Sequence, residues 1–233
     1  MITRRVHLLA MAAPLPLAAQ GILDRLGLGR KPSGDKNAAG IKEALLTGLN
    51  NAVGLAGKTD GYFAHAVIKI LLPDQMKPVE KGLRLVGAGK LIDNLVLGMN
   101  RAAEQAAPVA KGIFGDTIKQ MSIADAVQIL RGGDTSATDF FRKTTSEKLI
   151  AAFRPPITES MQSVGAVKTY DDVMGRFRRI PLMKAEPFDI NSYVTTQAVN
   201  GLFYLVGEEE KQIRTNPAAR VTPLLKEVFG ALR

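Results

Sequence analysis

The chain has 233 residues, 46% of them hydrophobic and 23% charged, so it can bury a core and is not a disordered segment. It holds no cysteine, which excludes a disulfide framework, a thiolate metal centre, a cysteine nucleophile and a lipid-modified N-terminal cysteine. The formal charge of +9 suits anionic partners, but the basic residues are scattered; the densest group, Arg176, Arg178 and Arg179, is interleaved only with Phe177 and reads as a solvated face, so no nucleic acid is expected.

Residues 1–19 read as a signal peptide. Met1-Ile2-Thr3-Arg4-Arg5 is a basic start, Val6 to Leu17 is apolar with Pro14 and Pro16 near its end, and Leu17-Ala18-Ala19 offers small residues for cleavage before Gln20. The apolar stretch is too short to cross a bilayer, and no later stretch has ~18 uninterrupted apolar residues, so no transmembrane span is expected. Thr3-Arg4-Arg5-Val6-His7-Leu8 matches a twin-arginine export signal only in part, because His7 stands where a large apolar residue is usual; the general secretory route is expected instead, with a periplasmic destination. His7 leaves with the leader. His65 is then the remaining histidine, flanked by Ala64 and Ala66, and reads as a surface or satisfied buried residue rather than a triad member or a metal ligand.

Residues 20–36, with Gly27, Gly29, Pro32, Ser33 and Gly34, read as a flexible linker ahead of one helical domain over 37–233. Ile41, Leu45, Leu49 and Val53 mark a helix over 37–54, and Asp60-Gly61 a turn. The β-branched run 67–72, closed by Pro73, predicts a short strand or an extended segment on the core. Helices follow over 77–85, 90–107 and 110–121, the second carrying Leu91, Leu95, Met99, Ala102 and Ala106 on one face. Gly87-Ala88-Gly89-Lys90 between the first two is a glycine break. A phosphate loop would need glycine at Arg84 and serine or threonine at Leu91.

Ser122-Ile123-Ala124-Asp125 predicts a capping box for a helix over 124–131, ended by Gly132-Gly133. A helix over 136–154 carries the stripe Thr138, Phe141, Thr145, Leu149 and should stop at Pro155-Pro156. Weaker helices span 157–164 and 169–178, and 181–187 is a connector. Asp189 caps the longest helix, 190–214, whose middle, Leu202-Phe203-Tyr204-Leu205-Val206, is apolar nearly all round. Asn216-Pro217 stops it, and a last amphipathic helix spans 223–232. The sum is an all-α, single-domain bundle of about eight to ten helices, with at most a short extended segment near 67–72.

The stripe Leu202, Leu205, Ile213 is interrupted by Glu209, and a buried carboxylate is costly unless satisfied. Arg142 flanks the Thr138–Leu149 stripe, and Arg101 and Glu104 share one edge of the 90–107 helix. Glu209, Arg142, Arg101 and Glu104 are therefore expected to meet in a partly buried cluster, at the least an ion-pair network that ties helices together. Glu210 and Arg214, four apart, look like an ordinary surface pair. Asn100, Arg101, Glu104, Arg142, Glu209 and Arg214 are the candidate ligand-binding or polar-cluster residues; no catalytic residue, metal or cofactor is expected.

Several stretches resemble the bacterial family known as domain of unknown function 4197. They are Asn100-Arg101-Ala102-Ala103-Glu104-Gln105-Ala106, Gly132-Gly133-Asp134 with Ala137-Thr138, and Phe141-Arg142-Lys143-Thr144-Thr145. Glu208-Glu209-Glu210 with Ile213-Arg214 and Asn216-Pro217, and Leu224-Leu225-Lys226-Glu227-Val228-Phe229-Gly230, complete them. The resemblance covers residues 36–233 and implies a helical, signal-bearing protein of Gram-negative bacteria, with no stated activity. Two functions lead, binding or carrying a hydrophobic or amphiphilic small molecule in an apolar cavity, or docking an envelope protein as an interaction or structural protein; an enzyme with a carboxylate such as Glu209 as base stays open beside them.

Overall fold

The structure is a computed structural model that describes residues 34–177 and 189–216, with 179, 218 and 226 as isolated positions. The predicted signal peptide, the 181–187 connector and, apart from position 226, the 223–232 helix lie outside the described residues. Of the predicted linker, 34–36 is described and belongs to the first helix.

The elements in chain order are α1 (Gly34–Gly57), α2 (Lys77–Leu85), α3 (Gly89–Ala106), α4 (Ala110–Gln120), α5 (Ile123–Arg131), α6 (Ser136–Ser163), α7 (Ala166–Phe177) and α8 (Ile190–Thr215). Short 3-10 turns at Asp74–Met76 and Ala107–Val109 lead into α2 and α4. The fold is all-α, and no strand occurs among the described residues. None of the helices among them is long and apolar enough to cross a membrane.

α8 is central. It packs on α6 and α1, α3 lies across α6 and α7, and α4 and α5 close the far side against α1 and α6. Its middle is apolar nearly all round because it has neighbours on several sides; Leu202, Phe203, Leu205 and Val206 are all buried. The other predicted stripes face inward as well: Ile41, Leu49 and Val53 of α1, Leu95, Met99, Ala102 and Ala106 of α3, and Phe141, Thr145 and Leu149 of α6. Small residues set the spacing. A side chain on Gly98 would place its Cβ 2.7 Å from Ala166 Cβ, so α3 and α7 come together over bare backbone.

Two caps form as the sequence predicts. Ser122 and Asp125 make a reciprocal box at the start of α5. Asp189 accepts from the Ser192 N–H at the start of α8, and the hydroxyl and backbone N–H of Ser192 hold its carboxyl below the usual range.

The prolines overturn an expectation. α6 runs through Pro155 and Pro156 to Ser163 instead of stopping before them. The buried stripe Leu149, Phe153, Ile157, Met161 keeps helical spacing across the pair, and Pro155 itself faces solvent. Burying four large side chains outweighs the loss of two helix hydrogen bonds. The helix is therefore undivided, and the described residues hold fewer helices than the upper count expected. Replacing both prolines by alanine should raise stability by about 1–2 kcal/mol, since the restored N–H groups outweigh the freed unfolded chain. A urea midpoint that stays put or falls would contradict this account of α6.

Candidate functional site

Residues 58–73 join α1 to the turn before α2 without helix or strand. Such a stretch must find hydrogen-bond partners outside regular structure, and here α3 supplies them. The chain first folds back over the end of α1 at Asp60, whose φ is +65°. At Gly61 a Cβ would stand 2.3 Å from the Leu55 carbonyl oxygen, so only glycine fits.

The next two backbone N–H groups, of Tyr62 and Phe63, both donate to Glu104 Oε1 at 3.1 Å. Glu104 Oε2 accepts from Arg101 Nη1 at 2.6 Å, and Arg101 Nη2 reaches Asp60 Oδ1 at 2.7 Å. Tyr62 then turns inward. Its hydroxyl donates to the Ala198 carbonyl at 2.6 Å, and burial, followed by the nearby Glu104 charge, pushes its pKa up. A Cβ on Gly201 would lie 2.7 Å from Tyr62 Cε1; the bare backbone of α8 is what admits the ring.

His65 closes the following turn. Its Nδ1 accepts from the N–H groups of Val67 at 3.1 Å and Ile68 at 3.3 Å, so the neutral ring carries its proton on Nε2. The ring stands edge-on to Tyr204, 5.9 Å between centroids. The predicted 67–72 segment forms no strand: 67 and 68 belong to a turn and 69–72 have no regular structure. Ile68, Ile70 and Leu72 point in, while Val67 and Leu71 are 60% and 58% exposed. Its neighbour is a side chain: Asn100 accepts from Ile70 N–H and donates to Ile70 C=O, each at 2.8 Å, doing the work of a paired strand.

Asn100, Arg101 and Glu104 therefore come together on α3 to hold one loop. The other three candidates do not join them. Arg142 is exposed, with Nη1 3.4 Å from Asn200 Oδ1 and its guanidinium 4.7 Å above the Phe203 ring. Glu209 is half-buried and accepts from Asn51 Nδ2 at 3.0 Å. No hydrogen bond or ion pair among the described residues links Glu209, Arg142 and the Arg101–Glu104 pair. The expected four-residue cluster resolves into separate contacts.

The carboxylate buried in α8 is Glu210. Its oxygens accept from the N–H groups of Ala137 and Thr138, each at 2.9 Å, and from the Thr138 hydroxyl at 2.8 Å. These N–H groups open α6, where a helix leaves its first donors unpaired and its dipole favours a negative charge. Arg214 grips Glu210 Oε1 and also donates to the Ile129 carbonyl near the end of α5, at 2.8 Å. The pair expected on the surface thus closes the α5–α6 junction from inside.

Glu210 accepts five hydrogen bonds and Glu104 three, and in each case two come from backbone N–H groups. Among the described residues, no group of three histidine, aspartate or glutamate side chains could hold a metal. Beside Glu210 and Arg214, a half-open apolar pocket of about 30 Å³ is lined by Ile41, Leu45, Leu49, Phe141 and Ile213. Over the loop lies an open cleft of about 530 Å³, lined by Leu55, Lys58, Asp60, His65 and Leu205.

Fold and site together define an all-helical protein whose buried acids anchor the connections between helices. The chain belongs to the family described as Protein of unknown function (DUF4197), whose model matches residues 31–230. No curated protein and no solved structure matches it.

Glu104→Ala and Glu210→Ala should each cost about 3 kcal/mol or more, because each leaves two backbone N–H groups without an acceptor and takes one partner from an arginine. Glu209→Ala should stay within about 1 kcal/mol, because it removes one exposed contact. Urea denaturation of the three variants checks the order, and an equal loss for Glu209→Ala would put the buried acid at the wrong position. Gly201→Ala should cost about 1–3 kcal/mol by driving Cβ into Tyr62; faster amide exchange across 62–70 would locate the damage in the loop.

Proposed function

We propose that the protein is exported by its N-terminal signal peptide and works in the periplasm as an envelope interaction protein, docking a protein partner through the outer face of the 58–73 loop. The observation that supports this is the contrast within the loop. Its backbone is held by buried side chains of α3, yet it turns Val67 and Leu71 outward. Leu55 and His65 line the cleft beside it, with Tyr204 edge-on to His65. Fixing an irregular surface loop costs conformational entropy, and a loop held in advance spares that cost when a partner binds.

A carrier that encloses its ligand fits less well. Such sites span about 300–1,000 Å³, whereas the pocket beside Glu210 and Arg214 is about 30 Å³. An amphiphile lying in the open cleft is the second reading. Its volume and the Lys58 ammonium at its wall favour that occupant.

Export predicts a periplasmic form that begins at Gln20, read directly by mass spectrometry of the intact protein. For docking, a photo-crosslinking residue at position 67 or 71 should trap one envelope protein. Leu71→Asp should abolish the adduct made from position 67 with the helical circular dichroism unchanged. No adduct from either position, or one that survives Leu71→Asp, would remove the docking proposal; saturable binding of a fatty acid lost with Lys58→Glu would replace it with the amphiphile.

A further inference from the structure

The turn between α2 and α3 carries the most exposed large apolar side chains among the described residues, Leu85 at 76% and Val86 at 63%. Their exposure does not come from a loose turn. Gly87 takes φ +75°, the Ala88 N–H bonds the Leu83 carbonyl at 2.8 Å, and the Gly87 N–H bonds the Arg84 carbonyl at 3.2 Å. This is a Schellman closure, complete within the backbone. It sends Leu83 into the core and leaves Leu85 and Val86 exposed at the apex of the turn between the two helices.

The charge around that apex is one-sided in what it leaves free. Asp74 is held by Lys77, and Glu80 and Asp93 are both held by Arg84. Among the described residues, the ammoniums of Lys81 and Lys90 take part in no ion pair, and both lysines are exposed. Lys90 stands in the first turn of α3, which has no acidic residue there and no side-chain cap. A cation at that place opposes the helix dipole. The cost is recovered when an anion meets the lysine and the uncapped N–H groups together.

We propose that the Leu85–Val86 apex is a membrane contact that inserts into an anionic lipid surface, with Lys81 and Lys90 on the headgroup phosphates. The shape favours lipid over a protein partner. Arg84 to Gly87 are four consecutive exposed residues at a helix-to-helix turn, and a fluid bilayer admits an exposed apolar pair without a matching groove. Juxtaposed lysines add the long-range attraction. This surface lies outside the 58–73 loop and does not depend on the partner proposed for it.

Vesicle flotation tests it, using the chain from Gln20, which keeps every described residue and lacks the apolar leader that would itself enter lipid. Vesicles rich in phosphatidylglycerol should carry the protein, and vesicles of phosphatidylcholine alone should not. Raised salt should weaken the binding. The double variant Leu85→Asp/Val86→Asp should lose it, and Lys81→Gln/Lys90→Gln should weaken it about tenfold or more, from the roughly fivefold that each juxtamembrane lysine contributes. Val67→Asp, on the other surface, should float like the wild type. All these positions are exposed, so circular dichroism should confirm folded protein throughout. No binding to anionic vesicles, or binding indifferent to Leu85→Asp/Val86→Asp, overturns the proposal. So does a wild-type dimer in solution that the same double variant dissociates, because a second copy would then cover the apex.

Discussion

A carboxylate that leaves water must recover its hydration from fixed donors, or it stays protonated or outside. In this bundle the requirement is met twice by backbone N–H groups that have no other acceptor. Glu210 takes the donors that the start of α6 cannot pair within its own helix, and Glu104 takes two from a loop that has no ladder. Each acid therefore solves two problems at once. Its charge is satisfied, and so are orphan amides that would otherwise stay buried and unpaired. An arginine completes each arrangement and extends it to a third piece of chain. Arg101 reaches Asp60, and Arg214 reaches the Ile129 carbonyl.

What the sequence shows of this follows from where its pattern is one-sided. α3 has a distinct apolar face, so Arg101 and Glu104 can be placed on its edge without a structure, and the serine and aspartate caps are local enough to be read directly. α8 offers no such phase. Leu202, Val206, Glu210 and Ile213 form as good a stripe as Leu202, Leu205, Glu209 and Ile213, because all the apolar residues involved are buried. A helix apolar all round leaves the choice between adjacent glutamates to its neighbours, and the amides of Ala137 and Thr138 make that choice. Pro155 and Pro156 fail as stop signals for the same reason: tertiary burial of Phe153, Ile157 and Met161 overrides a local penalty. The pairing of Asn100 with Ile70 left no local sign, since the residues are far apart in the chain. Gly201 is more instructive. A glycine in the middle of a buried helix signals close approach, and Tyr62 is what approaches.

The small residues that allow close packing also limit what the interior can do. Ala102, Ala103, Ala106, Ala107 and Ala110 are all fully buried, and the helices meet over them with little space left. The half-open pocket beside α8 is walled mainly by aliphatic side chains, with Glu210 and Arg214 also lining it. The connections between helices supply irregular backbone at the surface.

Those connections are held in three different ways, and the difference bears on which of their side chains are free. The α1–α2 loop depends on α3, so its inward residues are committed and alternate with exposed ones. The α5–α6 junction depends on α8 and faces inward. The α2–α3 turn is closed by its own carbonyls and the glycine at position 87, with the Arg84–Asp93 ion pair spanning it. The backbone bonds that close that turn do not involve the side chains of Leu85 and Val86, which stand 76% and 63% exposed. Each exposes apolar surface at a cost in solubility, and α3 begins beside them with an uncompensated lysine. Features that burden the isolated molecule in two independent ways, apolar exposure and an unfavourable charge at a helix start, are relieved together by a surface that is apolar below and anionic above.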